Sequence, residues 1–193
     1  FDVAAFDMNT FPKEEQVKFG KEHQDLFVKY NISVVTCDSQ AKAKECLKRL
    51  SKEEINFEQA VAEYSNKAYG NPETGLLSAS YAYQLNTAVK NEEDAKAVMA
   101  LSKDQLSEVI ECPSGFSIFK CNDTAVQPDF ENDSIVTAVY SYLLTREKTV
   151  IEDYFTAKAK DFTSVAAVKG FDEACQQMNI VKASVPPCVL NYG

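Results

Sequence analysis

One short run limits the folds open to this chain more than any other feature. Ile32-Ser33-Val34-Val35-Thr36 is β-branched and of strand length, yet helical signals follow it at once. Asp38-Ser39-Gln40 caps a helix running through Cys46, Leu47 and Leu50. Asn56 and Gln59 then form a capping-box pattern, and Phe57, Ala60, Val61 and Tyr64 fall at i, i+3, i+4 and i+7. Both helices lay an apolar face on the strand. Strand signals return only at Leu106 to Ile110, where Pro113-Ser114-Gly115 makes a tight turn into Phe116 to Phe119. This order implies an α+β fold: a small antiparallel sheet covered by helices.

The flanks are helical. Pro12 followed by Lys13-Glu14-Glu15 opens a helix whose stripe is Phe19, His23, Leu26, Phe27 and Tyr30. His23, the one histidine, lies on that stripe and reads as a packed structural residue rather than a base. Ser65 to Ser80 has no helical period and carries the turn signals Gly70-Asn71-Pro72 and Thr74-Gly75, while Glu92 to Leu101 is helical again. Beyond a polar linker near Gln127-Pro128-Asp129, one long amphipathic helix is expected from Val136 through Tyr154 and Phe155, packed on the Glu14 to Tyr30 helix. A short helix around Phe171 to Met178 and an extended segment, Ile180 to Val185, close the chain.

Charge excludes some functions. The net charge is -9 with Arg49 and Arg146 the two arginines, and no Lys/Arg cluster could neutralise phosphates, so no nucleic-acid partner is expected. There is no Gly-rich phosphate loop and no Ser/His/Asp set. Six cysteines without a Cys-x-x-Cys pair, and a single histidine, make a poor metal set, and no cofactor is expected. The cysteines read as small apolar side chains, with Cys112–Cys121 or Cys175–Cys188 as the alternative disulfides. No stretch of 18 apolar residues occurs, and a start at Phe1 reads as a mature fragment.

Four motifs in order resemble the parvulin (PpiC-type) peptidyl-prolyl isomerase domain over Tyr30 to Asn122. They are the strand and helix from Ile32 to Leu50, then Asn56-Phe57-Glu58-Gln59-Ala60-Val61-Ala62-Glu63-Tyr64-Ser65, which is similar to the family's F-x-x-L-A-x-x-Y-S helix. The third is Leu101 to Val109, and the fourth Ser114-Gly115-Phe116-Ser117-Ile118-Phe119-Lys120. The layout around them is similar to that of SurA-, PrsA- and PpiD-like foldases. It implies an N-terminal helical segment at 1–29, a parvulin-like domain at 30–125, and a C-terminal segment at 126–193 that packs with the first.

The resemblance implies a catalytic centre that is missing here. The family's two histidine positions fall on Ile32 and Ser117, its Asp/Cys position on Lys67, and its Gly-Gly-Asp-Leu-Gly loop reads Glu73-Thr74-Gly75-Leu76-Leu77. An Ile32/Ser117 cross-strand pair cannot reproduce a network of two imidazoles. An apolar substrate pocket is implied at Leu76, Leu85, Val89, Met99 and Phe116. The implied function is an extracytoplasmic folding factor that binds unfolded or proline-containing polypeptides with isomerase activity lost or weak. The alternatives are an active isomerase using the apolar pocket, and a non-catalytic docking module. A periplasmic location, a membrane anchor outside these residues and a homodimer are compatible with the same resemblance.

Overall fold

The structure, a computed structural model, describes residues 2–78 and 80–185. Its contacts divide the chain into two units, one of residues 20–135 and one of residues 1–19 with 136–193. The divisions fall at 19/20 and 135/136 rather than at 29/30 and 125/126. The physical reason is Phe27, which is fully buried and meets Tyr83 and Phe130 edge-on at 5.9 and 6.5 Å, tying both borders into the first unit.

The larger unit is built on β2 (Lys29–Cys37), which pairs antiparallel with β4 (Gly115–Val126); β4 in turn pairs with β3 (Ile110–Cys112). Helices α2 (Gln40–Ser51) and α3 (Phe57–Tyr64) pack on one face. Their apolar stripes bury Ala43, Cys46, Leu50, Phe57, Ala60 and Val61 against Val35, Cys37 and Ile118. Ser39 caps α2 through the Lys42 N–H, and Asn56 and Gln59 close the capping box of α3 in both directions. The hairpin strand expected at Leu106 to Ile110 instead starts at Ile110. Leu106 makes a single bridge to Lys120, while the Ser107 N–H donates to the Phe119 carbonyl at 2.8 Å.

The other face is covered by α4 (Ala82–Ala88) and α5 (Glu92–Met99). Helix α4 has seven residues, too few turns for a period to stand out in the sequence. Cys112 and Cys121 are separate buried thiols, as are Cys37, Cys46 and Cys175, while Cys188 lies outside the described residues. The alternative Cys112–Cys121 disulfide is therefore not formed.

In the second unit, β1 (Asp2–Ala4) pairs antiparallel with β5 (Lys182–Ser184). The expected long helix is two, α6 (Asp133–Arg146) and α7 (Lys148–Lys169), because Glu147 leaves helical geometry at φ -132° and ψ 43°. Similarly α1 (Lys13–Glu22) stops short of Tyr30, with a 3-10 turn Gln24–Phe27 following. Phe19 on α1 meets Tyr142 on α6 at 6.0 Å. Phe162 packs edge-on to Phe6 and to Phe171 of α8 (Phe171–Gln177), with centroids 6.3 and 5.5 Å away. No helix of the described residues is long and apolar enough to cross a membrane.

One glycine locks the loop between α3 and α4 onto the sheet. Gly75 has φ +69°, its carbonyl accepts the Val34 N–H at 2.9 Å, and an added Cβ would lie 2.5 Å from the Val34 oxygen and 2.9 Å from Val61 Cγ2. Gly75→Ala should therefore destabilise the unit by about 2–4 kcal/mol, read as a lower midpoint in urea unfolding. An unchanged midpoint would mean that the loop is not seated on β2.

Candidate polypeptide-binding site

Alternation along β2 and β4 decides which side chains meet. Ile32, Val34 and Thr36 share one face, opposite Cys121, Phe119 and Ser117 respectively. The Thr36 and Ser117 hydroxyls are 2.9 Å apart and fully buried. Burial pushes the Cys112 thiol above its ordinary value, and a hydrogen bond with Ser117 works against that shift. Thr36, Ser117 and Cys112 thus form a polar string across three strands. Two of its members are neutral hydroxyls and the third is a thiol held protonated, so it has no group that exchanges a proton near neutral pH.

Ile32 does not stand across from Ser117. Ile32 lies opposite Cys121 and Ser117 opposite Thr36, four residues away along the ribbon, a span of about 13 Å at 3.3 Å per residue. The residue diagonal to Ser117 on the shared face is Val34. Sequence pattern alone could not place this, because a two-residue slip keeps every side chain on its own face.

The remaining candidates scatter. Lys67 is exposed, at φ +59° in the loop after α3, with its backbone N–H on Ser65 Oγ at 3.1 Å. Leu76 is 42% exposed, whereas its neighbour Leu77 donates its N–H to the Ile32 carbonyl at 2.9 Å and packs on the Ile32 cluster. Leu85 and Val89 are buried, and Met99 is half-buried at the edge of the same cluster. Phe116 packs with the α2–α3 set, on the opposite face of the sheet. The five pocket positions therefore occupy three places.

The face that carries Ser117 is packed solid. Leu85, Val89, Ala95 and Val98 of the α4–α5 segment form one buried cluster with Ile32, Val34 and Phe119. Ile32 and Val34 have 0% and 1% of their surface exposed. Each large apolar side chain so buried contributes about 1.5–3 kcal/mol, which favours keeping the face closed.

Open volume lies instead at the end of the β2–β4 ribbon. A cavity of 610 Å³ is walled by Leu26 and Val28 just before β2, Ala82 of α4, and Met99 and Ala100 at the end of α5, with Ala125 of β4. A second, of 340 Å³, is lined by Leu76, Leu77, Thr124 and Val126, and Tyr30 borders both. Burial, and then the nearby charge of Asp25, push the Tyr30 phenol above its ordinary value. These residues carry no motif, and the pairing of Lys29 with Val126 that brings them together was not readable from the sequence.

Comparison with known proteins gives this geometry a context. Residues 33–123 match the family described as Rotamase: PPIC-type PPIASE domain. An uncharacterized protein of Treponema pallidum is 27% identical over 72% of this chain and 54% of its own length. An uncharacterized protein of Borreliella burgdorferi is 23% identical over 79% of this chain and 30% of its own. The chain thus spans about half or less of these relatives. Among solved structures, the foldase protein PrsA from Streptococcus pneumoniae superposes with a TM-score of 0.54 at 17% identity, over 79% of this chain and 57% of that one, a likeness of fold.

Because this face is packed, imidazoles cannot be introduced into it freely. Val34→His together with Ser117→His should cost about 1–3 kcal/mol per site through overpacking, seen as a lower melting temperature by circular dichroism. The same protein should leave prolyl exchange in a test peptide at the wild-type rate. A stable double variant that accelerates exchange would show the face to be open.

Proposed function

We propose, from the match of residues 33–123 to the PPIC-type PPIASE (rotamase) domain, that the chain is part of an extracytoplasmic folding factor of the parvulin family that binds unfolded polypeptide with little or no isomerase activity. One observation carries the reading: the sheet face bearing Ser117 holds no imidazole and is sealed by Leu85, Val89 and Val98. The chain's one histidine, His23, precedes the matched segment.

Rotation about a prolyl bond faces a barrier of about 18–20 kcal/mol set by amide resonance. Lowering it requires contacts stronger in the twisted state than in either planar isomer. A hydroxyl string shut beneath α4 and α5 makes no such contact. Holding an extended chain requires only apolar volume and exposed polar groups around it, and the ribbon end has both. Parvulin domains bind proline-containing polypeptides, so retaining binding while losing rotation is the smallest change that fits this site. An extracytoplasmic location, with an anchor elsewhere in the parent protein, follows the foldase likeness.

The test is prolyl cis–trans exchange in an Ala-Pro tetrapeptide, by NMR exchange or protease-coupled cleavage, beside an aggregation assay with a chemically unfolded client. Exchange at the uncatalysed rate of tens of seconds with suppressed aggregation is the expected result. Clear acceleration would make the protein an isomerase, and neither effect would favour a docking module.

A further inference from the structure

The proposed binding role leaves open where a polypeptide is held, since the family's catalytic face is closed. Three features of the ribbon end bear on this, all within the larger unit. The first is volume: 610 Å³ falls in the range of ligand sites, about 300–1,000 Å³, and accommodates a bulky side chain with its neighbours. The second is chemistry. Its walls are the apolar Leu26, Val28 and Met99, a thioether that adapts to differently shaped side chains, with the Tyr30 phenol at one side. The 340 Å³ cavity beyond Tyr30 adds Leu76 and Val126, 42% and 62% exposed.

The third is charge. Asp25 and Glu92 both border the larger cavity, and the one cation there, Lys96, is held by Glu92 at 2.6 Å. Asp25 is close enough to act on the Tyr30 phenol. Residues 20–135 hold 12 Lys/Arg against 19 Asp/Glu, a net of -7 that draws cationic segments toward the unit. A bulky apolar side chain flanked by lysine or arginine complements such a site on both counts.

Resting on the binding role above, we infer that the cavity between the start of β2, the end of β4 and the α4–α5 pair is the polypeptide site, and that it takes extended segments in which a bulky apolar residue lies beside a basic one. The side chain enters between Val28 and Met99, the chain crosses Tyr30, and its basic neighbour meets Asp25. The site is thus moved from the middle of the sheet to its end.

Two fluorescein-labelled unstructured peptides test this by anisotropy on the full chain at low salt: Gly-Ser-Lys-Phe-Leu-Lys-Ser-Gly, and the same peptide with glutamate for both lysines. Wild type should bind the basic peptide at least 10-fold tighter. Asp25→Lys, an exposed change, should remove most of that difference. Ala100→Tyr, which fills the cavity from an exposed position, should weaken both peptides at least 10-fold, while Leu76→Ser should change binding less than Ala100→Tyr does. Circular dichroism checks that each variant folds; should Ala100→Tyr not fold, Asp25→Lys decides. Wild-type binding that neither Asp25→Lys nor Ala100→Tyr alters, or a larger loss from Leu76→Ser, overturns this placement and leaves the binding role intact. Wild type that binds neither peptide, and does not suppress client aggregation, overturns both.

Discussion

The pairing of β2 with β4 is the interaction on which the rest of this unit depends. It joins Ile32–Cys37 to Phe116–Cys121 residue by residue, closing a loop of 78 residues between Cys37 and Phe116. The entropic cost of that closure rises only slowly with length. What offsets it is that both faces of the ribbon are then covered, by α2 and α3 on one side and α4 and α5 on the other. Without the ribbon the helices are short, and at 7 to 12 residues they are marginal alone.

A sheet buried on both faces constrains chemistry as well as stability. Polar groups on a buried face must satisfy one another, and Thr36 does so with Ser117. Small neutral hydroxyls meet that requirement without solvent or substrate, so apolar side chains from α4 and α5 pack onto the face without leaving a buried donor unmet. The neutral polar groups of this face and its close packing thus depend on each other.

Much of this was legible in the sequence, unevenly. Helix α3 was readable in full because Asn56 and Gln59 mark its start and its stripe has the period of a helix. The strands were readable from Ile32-Ser33-Val34-Val35 and Phe116-Ser117-Ile118, whose residue types favour pleated, buried positions. Register was not, because slips of two residues preserve the burial pattern; hence Ile32 is expected across from Ser117, where Thr36 stands. Strands of three residues such as β1 carry too little pattern, and the break at Glu147 hides within a helical period that continues on both sides. For the candidate site, what the sequence shows is a matter of residue type: its one histidine, His23, precedes the strands of the ribbon. The sequence did not locate the ribbon-end cavity, whose lining comes from four separate stretches of chain and depends on geometry alone.

The position of that cavity follows from the same ribbon. Between Ile32 and Cys37 the ladder is regular, and regular ladders present side chains at even spacing that helices can pack against without gaps. Toward Lys29 the register shifts twice, between Lys29 and Asn31 and between Asn31 and Ile32. Such irregularities add residues to one strand, bend it and increase its twist. Helix α5 ends at Met99 near that bend, and Tyr30 borders a hollow on either side. The regular part of the ribbon supports a core and the irregular part supports a cavity. Under the proposed binding role, that irregular end of the sheet is where an extended chain finds open apolar volume.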